Sequence, residues 1–218
     1  MKASPATSQH PASPRPRRSR QLGLEFRTWG GKRAGAGRKP TGAKAGVTHR
    51  PRAEWRQRRP LHVTLRVASH VYNLRSRRSF KVIEAALSIG GDRFEVRIVH
   101  FSVQGNHLHL IVEAPNRRAL ARAIQGLSIR IAKGLNRMMG CTGQVFDDRF
   151  HARVLRTPTE VRNAIRYVLD NARKHAAQRG ATYSPAYVDR YSSAGALDVE
   201  LPAAQTWLLR EGWKRAGP

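Results

Sequence analysis

The chain has 218 residues, and its 41 Lys+Arg against 14 Asp+Glu leave a net charge of +27 and a pI near 11.8. An excess of that size repels itself unless an anion neutralises it, which points to nucleic acid or an anionic membrane surface as partner. No apolar run approaches the ~18 residues of a spanning helix, and no apolar stretch follows the basic start as in a secretory signal. The single cysteine, Cys141, offers neither a disulfide nor a Cys-rich zinc site. The expectation is a cytoplasmic, nucleoid-associated protein with nucleic acid and no membrane as its partner.

Residues 1–59 carry 16 Lys+Arg against 2 Asp+Glu, a charge of +14, and are rich in Pro, Gly and Ser. Such composition cannot bury enough surface to offset ordering entropy, so this segment reads as a disordered basic arm. Within it, Gly35-Ala36-Gly37-Arg38-Lys39-Pro40 is similar to the short Gly/Arg/Pro hooks that enter a minor groove, making Arg38 and Lys39 candidate DNA contacts. A merely solvated basic tail has the same composition.

From Arg59 the texture changes. Leu61 to Val67 alternates and is β-branched, which predicts a strand. Phe80, Ile83 and Leu87 predict a helix ending at Gly90-Gly91. Phe94–Val103 and His107–Glu113 read as two strands joined by a hairpin turn at Gln104-Gly105-Asn106. Asn116 caps a long helix with the apolar stripe Leu120, Ile124, Leu127, Ile131, Leu135 and Met138, while Arg122, Arg130, Lys133 and Arg137 share another face. A fourth strand is expected around Ala152–Leu155. Thr157, Pro158 and Glu160 then open a third helix running to about Gln178. Beyond Gly180 only Trp207, Leu208 and Trp213 suggest a short C-terminal helix.

The order β-α-β-β-α-β-α matches an α+β, ferredoxin-like antiparallel sheet with helices on one face. Three regions follow: the arm, 1–59; a core domain, 60–180; and an extension, 181–218.

Chemistry concentrates in two places. In Asn106-His107-Leu108-His109-Leu110, strand alternation puts both imidazoles on one face, about 7 Å apart, where they can share a divalent ion. A half-exposed strand that merely carries two histidines has the same spacing. On the third helix, Asn163, Asn171 and Lys174 fall within about 40° of Tyr167, on the edge of the apolar sector. The ordinary fate of such a tyrosine is to border the core with a wet hydroxyl. Asn171, one turn later, supplies an amide oxygen that could serve as a third ligand. A metal polarising a phosphodiester would let Tyr167 attack and form a covalent phosphotyrosine, a bond that keeps the energy for rejoining strands.

Asn106-His107-Leu108-His109, followed by Tyr167-x-x-x-Asn171, resembles the HUH single-tyrosine transposases, most closely their REP-associated branch, in which Asn follows the tyrosine by one turn. His62-Val63-Thr64, Gly143 to Phe146 and Asp148-Arg149-Phe150 are similar to further family blocks in the same order, so the resemblance spans roughly 60–178. It implies metal-dependent cleavage and rejoining of single-stranded, hairpin DNA through a 5′-phosphotyrosine. His107, His109 and Asn171 would bind Mg²⁺ or Mn²⁺, with Tyr167 as nucleophile, and family members are monomers or homodimers. His62 and Asn106 are expected to support the ligands, and Arg130, Arg149, Arg153 and Lys174 to meet phosphates.

Two alternatives compete. A catalytically inactive nucleic-acid-binding module of the same fold would stack bases on exposed sheet aromatics, yet His107 and His109 occupy the central strand and aromatics make up only 7% of the chain. A replication initiator or relaxase with the same chemistry usually carries larger domains.

Overall fold

The computed structural model describes residues 54–90, 92–178, 180–184, 186–196 and 199–216. The segment 1–53, with Arg38, Lys39 and most of the expected arm, lies outside the described residues. Residues 54–59, assigned to the arm from composition, belong to the fold: Trp55 Nε1 donates to the Ala114 carbonyl at 3.1 Å and Arg58 to that of Glu95 at 2.7 Å.

The elements run β1 (Arg59–Arg66), α1 (Arg77–Gly90), β2 (Asp92–Arg93), β3 (Val96–Val103), β4 (His107–Ala114), α2 (Arg117–Met139), β5 (His151–Val154), α3 (Pro158–Leu169), α4 (Asn171–Gln178) and α5 (Trp207–Arg210), then a 3-10 turn at Gly212–Arg215. The sheet order is β2-β3-β4-β1-β5, with every pairing antiparallel. Setting aside the two-residue β2, this is the ferredoxin-like βαββαβ arrangement.

Alternation divides the sheet into two chemically different faces. Leu61, Val63, Leu65, Leu108, Leu110 and Val112 point to one and form the main core with the stripe Leu120, Ile124, Leu127, Ile131 and Leu135 of α2 and with Ile83 and Leu87 of α1. Helix α2 starts where expected, with Asn116 Oδ1 accepting from Ala119 N at 2.8 Å, and ends on Gly140 at φ 67°. The two helices approach so closely that a Cβ on Gly134 would run into Val82 Cγ1.

The other face carries His62 and Thr64 of β1 and His107, His109, Ile111 and Glu113 of β4. Helices on one face therefore describes α1 and α2 only. Helix α3 covers the opposite face, burying Val161, Ala164, Ile165 and Val168 against Ile111 and Leu209. The reason is in the strand: Ile111 is an apolar residue on the polar face, and it needs a cover. Glu113, fully buried on the same face, accepts from Gln205 N, Thr206 N and Thr206 Oγ1 at 2.8, 2.6 and 2.6 Å. A second tie holds the extension to the core, with Arg75 donating both amino groups to Asp189 at 2.7 and 2.8 Å.

Two elements differ from their sequence patterns. The expected strand Phe94–Val103 begins later, because Phe94 and Glu95 both take positive φ, 55° and 61°, and form the two-residue turn between β2 and β3. The Phe94 ring is half-exposed beneath the Arg122 guanidinium at 4.7 Å. The expected continuous third helix is interrupted at Asp170, with φ −93° and ψ 5°, and resumes as α4. No described helix is long and apolar enough to cross a membrane.

Candidate active site

The histidines of β4 meet His62 and Tyr167 over the polar face of the sheet. Because β1 pairs with β4 in the register Thr64↔His109 and His62↔Ile111, both β1 side chains reach the same imidazole. His109 Nδ1 lies 3.1 Å from His62 Nε2 and 3.2 Å from Thr64 Oγ1. With the proton on Nδ1, where His62 Nε2 or Thr64 Oγ1 can accept it, Nε2 is the lone-pair nitrogen. That Nε2 is buried with no partner among the described residues. His107 repeats the pattern: its Nδ1 lies 2.8 Å from Asn106 Oδ1, so it donates there and Nε2 carries the lone pair.

Burial keeps all three imidazoles neutral. It lowers the His62 and His107 pKa values to about 4 and that of His109 to about 3. Repulsion between the charged forms of neighbouring basic groups adds to this: His151 and Arg153 act on His62, His175 and Arg66 on His107, and His107, His62 and His175 on His109. Neutral imidazoles oriented by a hydrogen bond through the far nitrogen are the form that binds a metal.

Tyr167, on the last turn of α3, is 38% exposed, and its ring centroid lies 5.1 Å from that of His109 and 5.7 Å from that of His62. Lys174 Nζ stands 5.2 Å from the same ring centroid, as the helical spacing predicts. Asn171, by contrast, leaves the wet stripe. The interruption at Asp170 turns it inward to 1% exposure, and both polar atoms of its amide are buried without a partner among the described residues. An unpaired buried amide costs about 1–3 kcal/mol, and its oxygen and His109 Nε2 are both buried lone-pair atoms without a partner among the described residues. That donor set, two imidazole nitrogens and one amide oxygen, fits a divalent cation. Among the described residues no three His, Cys, Asp or Glu side chains form a group that could hold a metal ion.

No family model and no curated protein matches the chain. Solved structures do. One is a REP-associated tyrosine transposase bound to a REP hairpin, 16% identical, covering 59% of this chain and 74% of its own at a TM-score of 0.48. Another is a candidate transposase from Deinococcus radiodurans R1, 10% identical, covering 62% of this chain and 100% of its own at a TM-score of 0.40.

The remaining expected contacts separate. Arg153 pairs with His62 across the sheet, bonds Glu160 at 3.0 Å, and lines a cavity of about 320 Å³ with His62, Asn163 and Tyr167. Arg149 is exposed on the loop before β5. Arg130 sits on α2, whose stripe packs the other face of the sheet, and its guanidinium lies near Gly126 and so beside Phe94. It does not join the histidines. Two residues escaped the sequence reading: Thr64, whose alternation with His62 marked it as a same-face neighbour, and His175, whose ring centroid is 6.0 Å from that of His107.

Proposed function

We propose that the chain cleaves and rejoins single-stranded DNA, taken up as a hairpin, with Tyr167 as the nucleophile. The observation that carries this reading is the buried Nε2 of His109, without a partner among the described residues, on a ring whose Nδ1 meets His62 and Thr64 and which lies beside an exposed tyrosine. His107, His109 and Asn171 would hold Mg²⁺ or Mn²⁺, which when bound supplies Lewis-acid polarisation of the phosphate oxygens.

The chain's own groups do the rest. Among the described residues the Tyr167 hydroxyl has no partner, so its oxygen is open to an incoming phosphodiester. Lys174 above the ring, and Arg153 from the neighbouring cavity, would neutralise charge on the incoming phosphate. Tyr167 Oη forms the new bond to phosphorus while the bond to the 3′ oxygen breaks. The phenol proton leaves to water, and the released 3′ oxygen takes one up. A 5′-phosphotyrosine and a free 3′ hydroxyl result, and attack by a 3′ hydroxyl reverses the step without ATP.

Labelled single-stranded hairpin oligonucleotides, incubated with the full chain and Mn²⁺, should yield an adduct that survives denaturing electrophoresis. EDTA or Tyr167→Phe should abolish it, while binding stays near the wild-type level because phosphate charge dominates affinity. An adduct formed by Tyr167→Phe would assign the nucleophile elsewhere. Tight binding with no adduct on any hairpin would favour a catalytically inactive binding protein.

A further inference from the structure

A cavity of about 540 Å³ opens beside His107 and shares no lining residue with Tyr167's own cavity. Asn73, Gln104, Asn106, His107, His175 and Tyr183 surround it. Its volume lies within the range of sites that enclose small ligands.

Apart from His107 and His175, the polar lining is made of amides, a tyrosine and one guanidinium. Arg75 also borders the cavity, but its guanidinium is spent in the two-fold pair with Asp189 and a bond to the Val103 carbonyl at 2.9 Å. What remains is amide and aromatic. Gln104 is only 4% exposed; its Nε2 donates to Ser102 Oγ at 2.8 Å, which leaves its carbonyl oxygen with no donor among the described residues. Asn73 Oδ1 accepts from Arg75 N at 2.9 Å, which leaves its amide nitrogen as a donor. Tyr183 is stacked on Tyr187, 3.9 Å between centroids and 7° between planes, and no other ring stacks on it among the described residues. A flat aromatic platform with one amide donor and one buried amide acceptor is poorly suited to a phosphate. It suits a planar heterocycle that presents a hydrogen-bond acceptor next to a donor.

We propose that this cavity seats one unpaired nucleobase of the DNA strand, stacked on Tyr183 and bonded at its edge by Asn73 and Gln104. The inference rests on the strand-cleaving function proposed above. Since His107 belongs to both places, the seated base is that of a nucleotide adjoining the reacting phosphodiester. Every base has neighbouring donor and acceptor atoms on its pairing edge, so the cavity anchors an unpaired base and sets the strand's register.

The test is binding in EDTA, where no cleavage occurs, using labelled dA, dC and dT hexamers against an abasic sugar–phosphate hexamer of equal charge. The wild-type chain should hold at least one base-bearing hexamer about tenfold more tightly than the abasic one. Tyr183→Ala should bring that ratio to within twofold while abasic binding, which reports a folded and cationic protein, stays put. Tyr183→Phe should retain the ratio. Asn73→Asp, which keeps the acceptor for Arg75 N and loses the donor, should lower it. A wild-type ratio near one, or a wild-type ratio in Tyr183→Ala, would overturn the proposal. An adduct without base preference removes the nucleobase seat alone; base preference without an adduct leaves the seat and removes the tyrosine chemistry.

Discussion

The two faces of this sheet are built from the same strands and obey opposite rules. Toward α1 and α2, β1 and β4 offer Leu, Val and Ala, and the interface closes with apolar contacts throughout. Toward α3 and α4 the same strands offer His62, Thr64, His107, His109 and Glu113, and two polar groups, His109 Nε2 and the Asn171 amide, stay buried without partners. Burial of apolar area stabilises by about 25 cal/mol per Å², whereas each unpaired polar group costs about 1–3 kcal/mol. The first face holds the domain together, and it can therefore carry a second face that is costly to fold and chemically poised.

Adjacent residues of β4 should break along that division. Leu110→Ala, on the apolar face and fully buried, should destabilise the chain by about 2–5 kcal/mol in urea unfolding. The adduct formed per folded molecule should remain near wild type. His109→Ala, one residue away, should lower the adduct yield at limiting Mn²⁺ by about 10–100-fold, the usual consequence of disturbing a metal-ligand shell. Its loss of stability should be smaller than that of Leu110→Ala. If both substitutions moved stability and adduct together, the two faces would not be independent.

Acid should act on the polar face alone. His62, His107 and His109 titrate in the fold at about 4, 4 and 3, below the ordinary 6.5, so the unfolded chain takes up protons first. Their contribution is complete above pH 6.5 and is lost as the pH falls toward 4 and 3. The slope is at most about 1.4 kcal/mol per pH unit for the deeply buried His109, and less for half-buried His107, which solvent screens. Urea midpoints measured between pH 7 and 4.5 should fall, and saturating Mn²⁺ above pH 6 should raise them, since a cation on neutral imidazoles binds only the folded form. A flat midpoint from pH 7 to 4.5 would contradict the burial of these rings.

Much of this was legible in the residues. Strand alternation put His107 and His109 on one face, and Asn116 and Thr157 marked helix starts whose cap bonds are present. What stayed hidden has physical reasons. Phe94-Glu95 forms a turn with positive φ at both positions without the Gly or Asn that such turns favour, and Phe has the propensity of a strand residue. The interruption at Asp170 lacks a proline or glycine to announce it. The apolar stripe of α3 shows that one side is buried but not against which face of the sheet, since only Ile111 on a distant strand decides that. His175 reaches the site through the path α4 takes after the interruption, which spacing along one continuous helix does not encode.

The Glu113 carboxylate has a consequence for how the molecule comes apart. It lies at the middle of the sheet, yet its three donors come from residues more than ninety positions later in the chain. Detaching Gln205 and Thr206 would strand a charge in the interior, a far larger penalty than the loss of a few surface contacts. The last turns of the chain are therefore no appendage that frays by itself: they melt with the central strand, as one cooperative unit with the residues that hold the histidines.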